Sequence, residues 1–340
     1  MKKMGKKAVV MILFLSMLLI AGCAKEAQKE SETEGVMTEE SESELEPEAI
    51  TEATQVVSLK GPTTLGLLNM MEEASKDEYA FQMLTDPSEA AVLLSQKKAD
   101  IALLPANLAA NLYQKLEGNL VVMNINTMGV LYFVQQGEPI VSIQELVGKT
   151  LYTTGKGATP DFALQYVLSQ NEIGLDELSI EYKSEAAEVV AALAANQDAI
   201  GLLPQPFVTV ATMQNEELKV SLDLTKEWEK VDQKSSLVTG VTVVRREYLE
   251  AYPERVEAFL KQQKASTEKA NTDIEGTAAL AEQYEIINAA VAEKAIPFCN
   301  IIYFDGLQLQ PVLEGYLETL YQLSPESIGG EMPDEAFYME

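Results

Sequence analysis

One short pattern occurs twice, and it restricts the fold more than any other feature of the chain. Ala99-Asp100-Ile101-Ala102-Leu103-Leu104-Pro105-Ala106-Asn107 returns in form as Asp198-Ala199-Ile200-Gly201-Leu202-Leu203-Pro204-Gln205-Pro206. Each copy follows an Ala-rich helical stretch, runs as an apolar strand to Leu-Leu-Pro, and opens a helix directly afterwards. That order leaves backbone N–H groups and the positive end of a helix at the carboxyl edge of a parallel sheet, where open α/β sheets bind ligands. Two lobes built from related βα units explain the echo.

The rest of the chain agrees. From about residue 55 onward, short β-type runs alternate with longer helical segments, which is the grammar of an α/β protein. Strands are expected at 56–59, 79–84, 100–104, 120–125, 129–135, 150–154, 178–182, 199–203, 219–224 and 240–244. Asp86-Pro87-Ser88-Glu89 supplies an N-cap, a first-turn proline and an acid, and Ser142-Ile143-Gln144-Glu145 reads as a capping box.

Two further segments pass from strand to helix. Lys60, Gly61, Pro62, Thr63 and Thr64 form a tight turn before an apolar helix to Met71. Thr154, Gly155, Lys156, Gly157, Ala158 and Thr159 form a glycine-rich turn, with Thr159 as the expected cap and Pro160 as the first helical residue. Small residues let a backbone approach a ligand closely, while hydroxyls, amides and a lysine hold polar or anionic groups. The Walker spacing GxxxxGK[ST] is missing, so nucleotide hydrolysis is unsupported. Together with Pro105, Ala106 and Asn107, and with Pro204, Gln205 and Pro206, these turns make four candidate strand-end contacts for a ligand.

At the N-terminus, Lys2, Lys3, Lys6 and Lys7 precede an apolar run over residues 8–20, followed by Ala21-Gly22-Cys23. A charged front, a short apolar centre and a small-residue end mark an export signal, because a bilayer span needs about 20 residues. Leu19 to Cys23 resembles the lipobox of bacterial lipoproteins, which implies removal of residues 1–22 and acylation of Cys23 with palmitate-type chains. Residues 24–54 then carry eleven Glu and two Lys and almost no large apolar residue. Such a segment cannot form a core, so residues 23–54 are expected to be an acidic tether.

Without residues 1–22 the chain has 21 basic against 53 acidic residues, a formal net charge of −32. Nucleic acid is therefore not an expected partner. There is no histidine, which removes Ser-His-Asp and Cys-His catalysis and His-ligated zinc. With Cys23 lipidated, Cys299 has no partner for an intrachain disulfide, and its setting in Ile296-Pro297-Phe298-Cys299-Asn300-Ile301-Ile302 reads as a buried small hydrophobe. No catalytic residue, cofactor or metal site is expected.

Several segments, taken in order, carry a family resemblance. They are Gly129-Val130-Leu131-Tyr132-Phe133-Val134, Ile143 to Tyr152, Gly155-Lys156-Gly157-Ala158-Thr159-Pro160, Lys183-Ser184-Glu185, Leu203-Pro204-Gln205-Pro206-Phe207, Gly240 to Arg245, and Ala251 to Leu260. Over roughly residues 55–335 the chain resembles the substrate-binding proteins of ABC importers for nitrate, aliphatic sulfonates and thiamine-type pyrimidines. The resemblance implies the type II periplasmic-binding fold, an α/β architecture of two lobes, each a mixed, mostly parallel sheet flanked by helices, with a hinge between. It places residues 55–138 with 241–340 in one lobe and 139–240 in the other, with crossings near 134–141 and 235–240.

The function it implies is capture of a small solute by lobe closure. Expected partners are the solute, the permease and ATPase subunits, and the membrane through the lipid anchor on its extracytoplasmic face, with the protein itself a monomer. A ligand-sensing lipoprotein partnering a membrane receptor is the alternative, and an enzyme on the same fold comes third. The three arginines, Arg245, Arg246 and Arg255, lie outside the four turns, so an arginine clamp is not expected. The turns suit a small polar or anionic organic solute, such as a sulfonate, nitrate or a pyrimidine. Tyr132, Tyr152, Phe207 and Trp228 are candidates to stack on a ring.

Overall fold

The computed structural model describes residues 52–339. The signal peptide, Cys23 and nearly all of the acidic segment fall outside the described residues. Thr54, counted above with the tether, already belongs to the fold: it is buried and its hydroxyl lies 2.6 Å from that of Tyr248.

All ten expected strands form, with an eleventh near the C-terminus. They are β1 (Thr54–Leu59), β2 (Tyr79–Leu84), β3 (Ile101–Pro105), β4 (Val121–Met128), β5 (Leu131–Gln136), β6 (Thr150–Thr153), β7 (Ser179–Tyr182), β8 (Ile200–Pro204), β9 (Leu218–Asp223), β10 (Val238–Val244) and β11 (Ile301–Phe304). The helices are α1 (Pro62–Leu65), α2 (Leu68–Glu73), α3 (Pro87–Ser95), α4 (Ala106–Lys115), α5 (Thr159–Gln170), α6 (Ala186–Ala195), α7 (Phe207–Gln214), α8 (Leu224–Val231), α9 (Arg246–Ala251), α10 (Pro253–Thr272), α11 (Ile274–Gln283), α12 (Ala289–Ala295) and α13 (Leu309–Leu323). Asp86 caps α3 through Ser88 N at 2.8 Å, as its sequence predicts. The capping box at Ser142 does not form. Residues Ile143–Leu146 make a single 3-10 turn, and the Glu145 carboxylate instead accepts from Val141 N.

The strands form two sheets, in the orders β11-β4-β10-β3-β1-β2 and β7-β6-β8-β5-β9. Setting β11 aside, the two orders match position for position. In each, a Leu-Leu-Pro strand (β3 or β8) has a parallel neighbour on one side and an antiparallel return strand on the other. Pro105 pairs with Gly240 and Pro204 with Leu131. The sequence echo is therefore the trace of one arrangement used twice.

The central strands of both sheets are covered on both faces, so β3, β5, β8 and β10 are mostly buried apolar runs, whereas β7 and β9 toward the edges are partly exposed and more polar. In the first sheet, Val56, Ile101 and Leu103 pack with Val256 and Phe259 of α10, while Val57, Ala102 and Leu104 share a core with Ala109 of α4 and Leu313 of α13. In the second sheet, Val134 and Leu203 pack with Val189 of α6 and Val208 of α7, and Phe133 and Leu151 belong with Leu164 of α5 and Trp228 of α8. The cluster holding α4, α5, α8 and α13 is continuous across both sheets. It joins the lobes along one side.

The chain passes from the first sheet to the second between Met128 and Leu131, earlier than the expected 134–141, and puts all of β5 in the second sheet. It returns between Val231 at the end of α8 and Val238. Gly129 sits in the first passage because a Cβ there would collide with Thr225 Oγ1 and lie 3.0 Å from Leu237 Cδ2.

Candidate functional site

The carboxyl ends of β1 and β3 in the first sheet, and of β6 and β8 in the second, carry the four turns. At the first turn, Gly61 has φ 140°, and the Thr63 and Thr64 hydroxyls lie 3.0 and 2.5 Å from Leu59 O, with Ser58 Oγ 2.8 Å from Thr64 Oγ1. Those hydroxyls bond the end of their own strand, whereas Lys60 is exposed. At the second, Pro105 precedes α4 and Asn107 is buried in its first turn. At the fourth, the Gln205–Pro206 peptide is cis, Gln205 N donates to Val130 O at 2.9 Å, and Gln205 Oε1 accepts from Thr209 at 2.9 Å.

The third turn differs by one residue from its expected form. Ala158 is the cap, Thr159 the first helical residue and Pro160 the second. Gly155 and Gly157 take φ values of 69° and 72°, a region that favours glycine. The Gly157 N–H points at Asp161 Oδ2, 2.7 Å away. Lys156 is exposed and its Nζ lies 5.4 Å from the centroid of the Tyr182 ring.

Two of the four turns touch. Thr159 Oγ1 donates to Asn107 Oδ1 at 3.2 Å, a buried hydrogen bond between a helix start of one sheet and a helix start of the other. Beside it lies a cavity of about 370 Å³ lined by Asn107, Leu108, Asn111, Gly157 and Phe162. Gln205 opens instead on a larger cavity, about 730 Å³, bounded by Tyr132, Thr209, Asp223 and Met213 from the second sheet's side and by Lys294 and Phe298 from the first. Residues 60–64 line neither. A cavity of similar size, about 740 Å³, lies at the opposite, amino end of the second sheet around Gln136, Lys149 and Asp198, away from every turn.

Phe298, Asn300, Asn124, Asn126 and Gln263 were not singled out from sequence, and Tyr132 was expected only as a stacking ring. Tyr132 OH donates to Phe298 O at 3.1 Å, and Asn300 Nδ2 donates to Gly129 O, so residues 298–300 tie the first sheet's edge to the passage between sheets. Burial, and then the nearby Asp223 carboxylate, push the Tyr132 phenol up, so it stays a donor. Beneath the first turn runs a buried chain in which Asn124 donates to Gln263, Gln263 and Asn126 to Thr242, and Thr127 to Asn126. Gly240 lets it close: a Cβ there would lie 2.5 Å from Asn126 Oδ1 and 2.7 Å from Thr63 Cγ2. Two asparagines inside an otherwise apolar strand were the available signal.

The arginines are held elsewhere. Arg245 bonds Asp100 at 2.6 Å and Ala99 O at 2.9 Å, while Arg246 bonds Gly118 O and Ala336 O. Trp228 is fully buried, with its ring 4.3 Å from Tyr166 and 5.8 Å from Tyr316 by centroids, and so it belongs to the core rather than to a ligand face. Cys299 is also fully buried, its Sγ 3.3 Å from Ala295 O, and desolvation pushes the thiol up to about 12. In the folded protein at neutral pH iodoacetamide should leave Cys299 unmodified and should alkylate it in urea, which mass spectrometry reads directly; rapid native labelling would contradict the burial.

Two α/β halves of matching strand order share one continuous core cluster, and the starts of α4 and α5 meet between them. The chain belongs to the ABC-transporter phosphonate periplasmic substrate-binding protein family, whose model matches residues 63–289, more than half of its length. It is an ABC-type periplasmic substrate-binding protein. Solved structures share the fold. An ABC transporter structure from Parabacteroides distasonis is 24% identical, over 85% of this chain and 99% of that one, with a TM-score of 0.72. The periplasmic aliphatic sulphonate binding protein of Escherichia coli is 13% identical over 85% and 92%, with a TM-score of 0.69. The alkanesulfonate-binding protein of Xanthomonas axonopodis pv. citri, bound to MOPS, is 15% identical over 84% and 96%, with a TM-score of 0.63. No curated protein sequence matches the chain.

Proposed function

We propose that this chain is the solute-capturing lipoprotein of an ABC importer, lipid-anchored through Cys23 on the extracytoplasmic face of the membrane and acting as a monomer without catalysis. Its solute is a small polar or anionic organic molecule, of the phosphonate, sulfonate, nitrate or pyrimidine-like kind, gripped between two lobes. The lobes correspond to residues 55–138 with 241–340 and to 139–240, adjusted so that β5 lies in the second and β10 in the first. One observation carries the reading: the Asn107–Thr159 hydrogen bond joins the helix start after β3 to the one after β6, which is the contact a closing clamp makes. Contacts formed only when both lobes grip a ligand supply the free energy of closure, and a permease reads the closed form.

Backbone N–H groups at the starts of α4 and α5, the side chains of Asn107, Gln205 and Thr154, and Lys60 would hold the solute, with Tyr132 flanking it. A thermal-shift screen of residues 24–340 against phosphonates, sulfonates, nitrate and pyrimidines should raise the melting temperature for one class only. In a fractionated cell, Cys23→Ser should move the protein out of the membrane. Stabilisation by no class, or turnover of a bound compound, would remove the proposal.

A further inference from the structure

The third turn has the form of an oxyanion seat, with two left-handed glycines, an exposed lysine and the start of a twelve-residue helix, α5. That seat is taken by the protein itself. Asp161, two residues into α5, is buried at 4% exposure. Its Oδ2 accepts the Gly157 N–H at 2.7 Å, and its Oδ1 accepts Gln165 Nε2 at 2.6 Å and the Tyr182 hydroxyl at 2.6 Å. Gly157 also lines the 370 Å³ cavity between α4, the start of α5 and residues 324–327, with Asn107, Phe162 and Glu326. Three donors on one buried carboxylate fix it in place, since each charge-assisted bond is stronger than a neutral one.

We propose that Asp161 is a specificity-determining residue: its carboxylate occupies the position a solute oxyanion would take at residues 155–159 and keeps anionic groups off the second lobe. This deepens the clamp reading and rests on it. The solute then presents a neutral, hydrogen-bonding part to the α5 turn. Two negative charges a few ångströms apart repel strongly even at an effective dielectric constant of about 20. A bare oxyanion is thus rejected at this turn although the backbone could bind it.

The test titrates the full chain with inorganic phosphate and methylphosphonate by calorimetry, beside Asp161→Asn, Asp161→Gly and Tyr182→Phe. Asparagine keeps the acceptor for Gly157 N–H and removes the charge; glycine empties the seat; Tyr182→Phe keeps the charge and loses one hydrogen bond. The expected result is a gain in affinity for both probes of about 30-fold in Asp161→Asn and more in Asp161→Gly, with Tyr182→Phe like the parent. If Asp161→Gly unfolds, the nearly isosteric asparagine variant decides. No gain in a folded Asp161→Asn, or an equal gain in Tyr182→Phe, overturns the assignment. Failure of the clamp reading looks different: no solute in the screen would stabilise any variant, while the phosphate titrations would still report on the turn.

Discussion

Trp228→Ala is expected to lower stability by about 4 kcal/mol, the range for deleting a fully buried large aromatic side chain. The cost has identifiable parts. The indole is completely buried in the core cluster that runs under both sheets, with Tyr166 of α5 on one side and Tyr316 of α13 on the other. Its Nε1 donates to Ser235 Oγ at 3.0 Å, in the segment returning to the first sheet. Alanine would leave a cavity between the Tyr166 ring of α5 and the Tyr316 ring of α13. It would also remove one of the two donors to the buried Ser235 hydroxyl, leaving Thr319 Oγ1 at 3.1 Å. Trp228→Phe should cost less, about 1–2 kcal/mol, because it refills most of the volume and loses only the hydrogen bond. Urea unfolding followed by circular dichroism measures both, since the chain has no other tryptophan to report by fluorescence. Solute affinity should survive in Trp228→Phe; a loss of binding without a loss of stability would return this ring to the ligand face.

The central strands made the fold legible because they are covered on both faces, which turns them into recognisable apolar runs. β11 escaped because it is a four-residue edge strand beginning just after Pro297 and a 3-10 turn, too short for a strand pattern to show. The runs 120–125 and 129–135 are legible as two strands, but nothing in them places the passage between sheets at 128–131 rather than at 134–141. Only pairing shows that β4 and β5 belong to different sheets. Residues 142–145 have the capping-box spacing, but a single 3-10 turn offers no helix to cap.

The site was legible only as a set of turns. Strand-end position and glycine content locate the backbone, and all four turns do sit at carboxyl edges. Which side chains meet depends on how the lobes pack, which spacing along the chain does not encode. Asn107 and Thr159 are 52 residues apart and share a hydrogen bond. Thr63 and Thr64, offered as ligand hydroxyls, bond their own strand instead. Asp161 in Thr159-Pro160-Asp161 reads as an ordinary first-turn acid. Its grip on Gly157 follows from the fold of the turn, and the same is true of its bond from Tyr182, at the end of the adjacent β7.

Asp232 is expected to make the junction acid-sensitive, and Asp232→Ala to cost about 3 kcal/mol near neutral pH. The carboxylate sits in the return segment between α8 and β10 and gathers donors from several elements. Its Oδ2 accepts Ser235 Oγ at 2.5 Å, Tyr166 OH at 2.9 Å and, more weakly, Thr319 Oγ1 at 3.4 Å, and its Oδ1 accepts the N–H groups of Lys234 and Ser235 at 2.8 and 3.2 Å. Removing it leaves the Ser235 and Tyr166 hydroxyls short of an acceptor, while Thr319 keeps Gly315 O at 3.0 Å, and each such loss costs about 1–3 kcal/mol before rearrangement. Burial raises the carboxyl, but hydrogen bonds from Ser235, Lys234 and Tyr166 outweigh it and hold Asp232 below its ordinary value. A group depressed on folding contributes stability that is complete above its unfolded value, about 3.9, and is lost as pH falls through the folded one. The stability gap between the parent and Asp232→Asn, measured by urea unfolding, should therefore be widest near neutral pH and narrow only below about pH 4. Ser235 joins Asp232 to the Trp228 indole, so the two deletions share a partner, and the double variant Trp228→Phe/Asp232→Asn should cost less than the sum of the two. A gap that stays constant down to low pH, or strict additivity, would mean that Asp232 does not bind these elements as one joint.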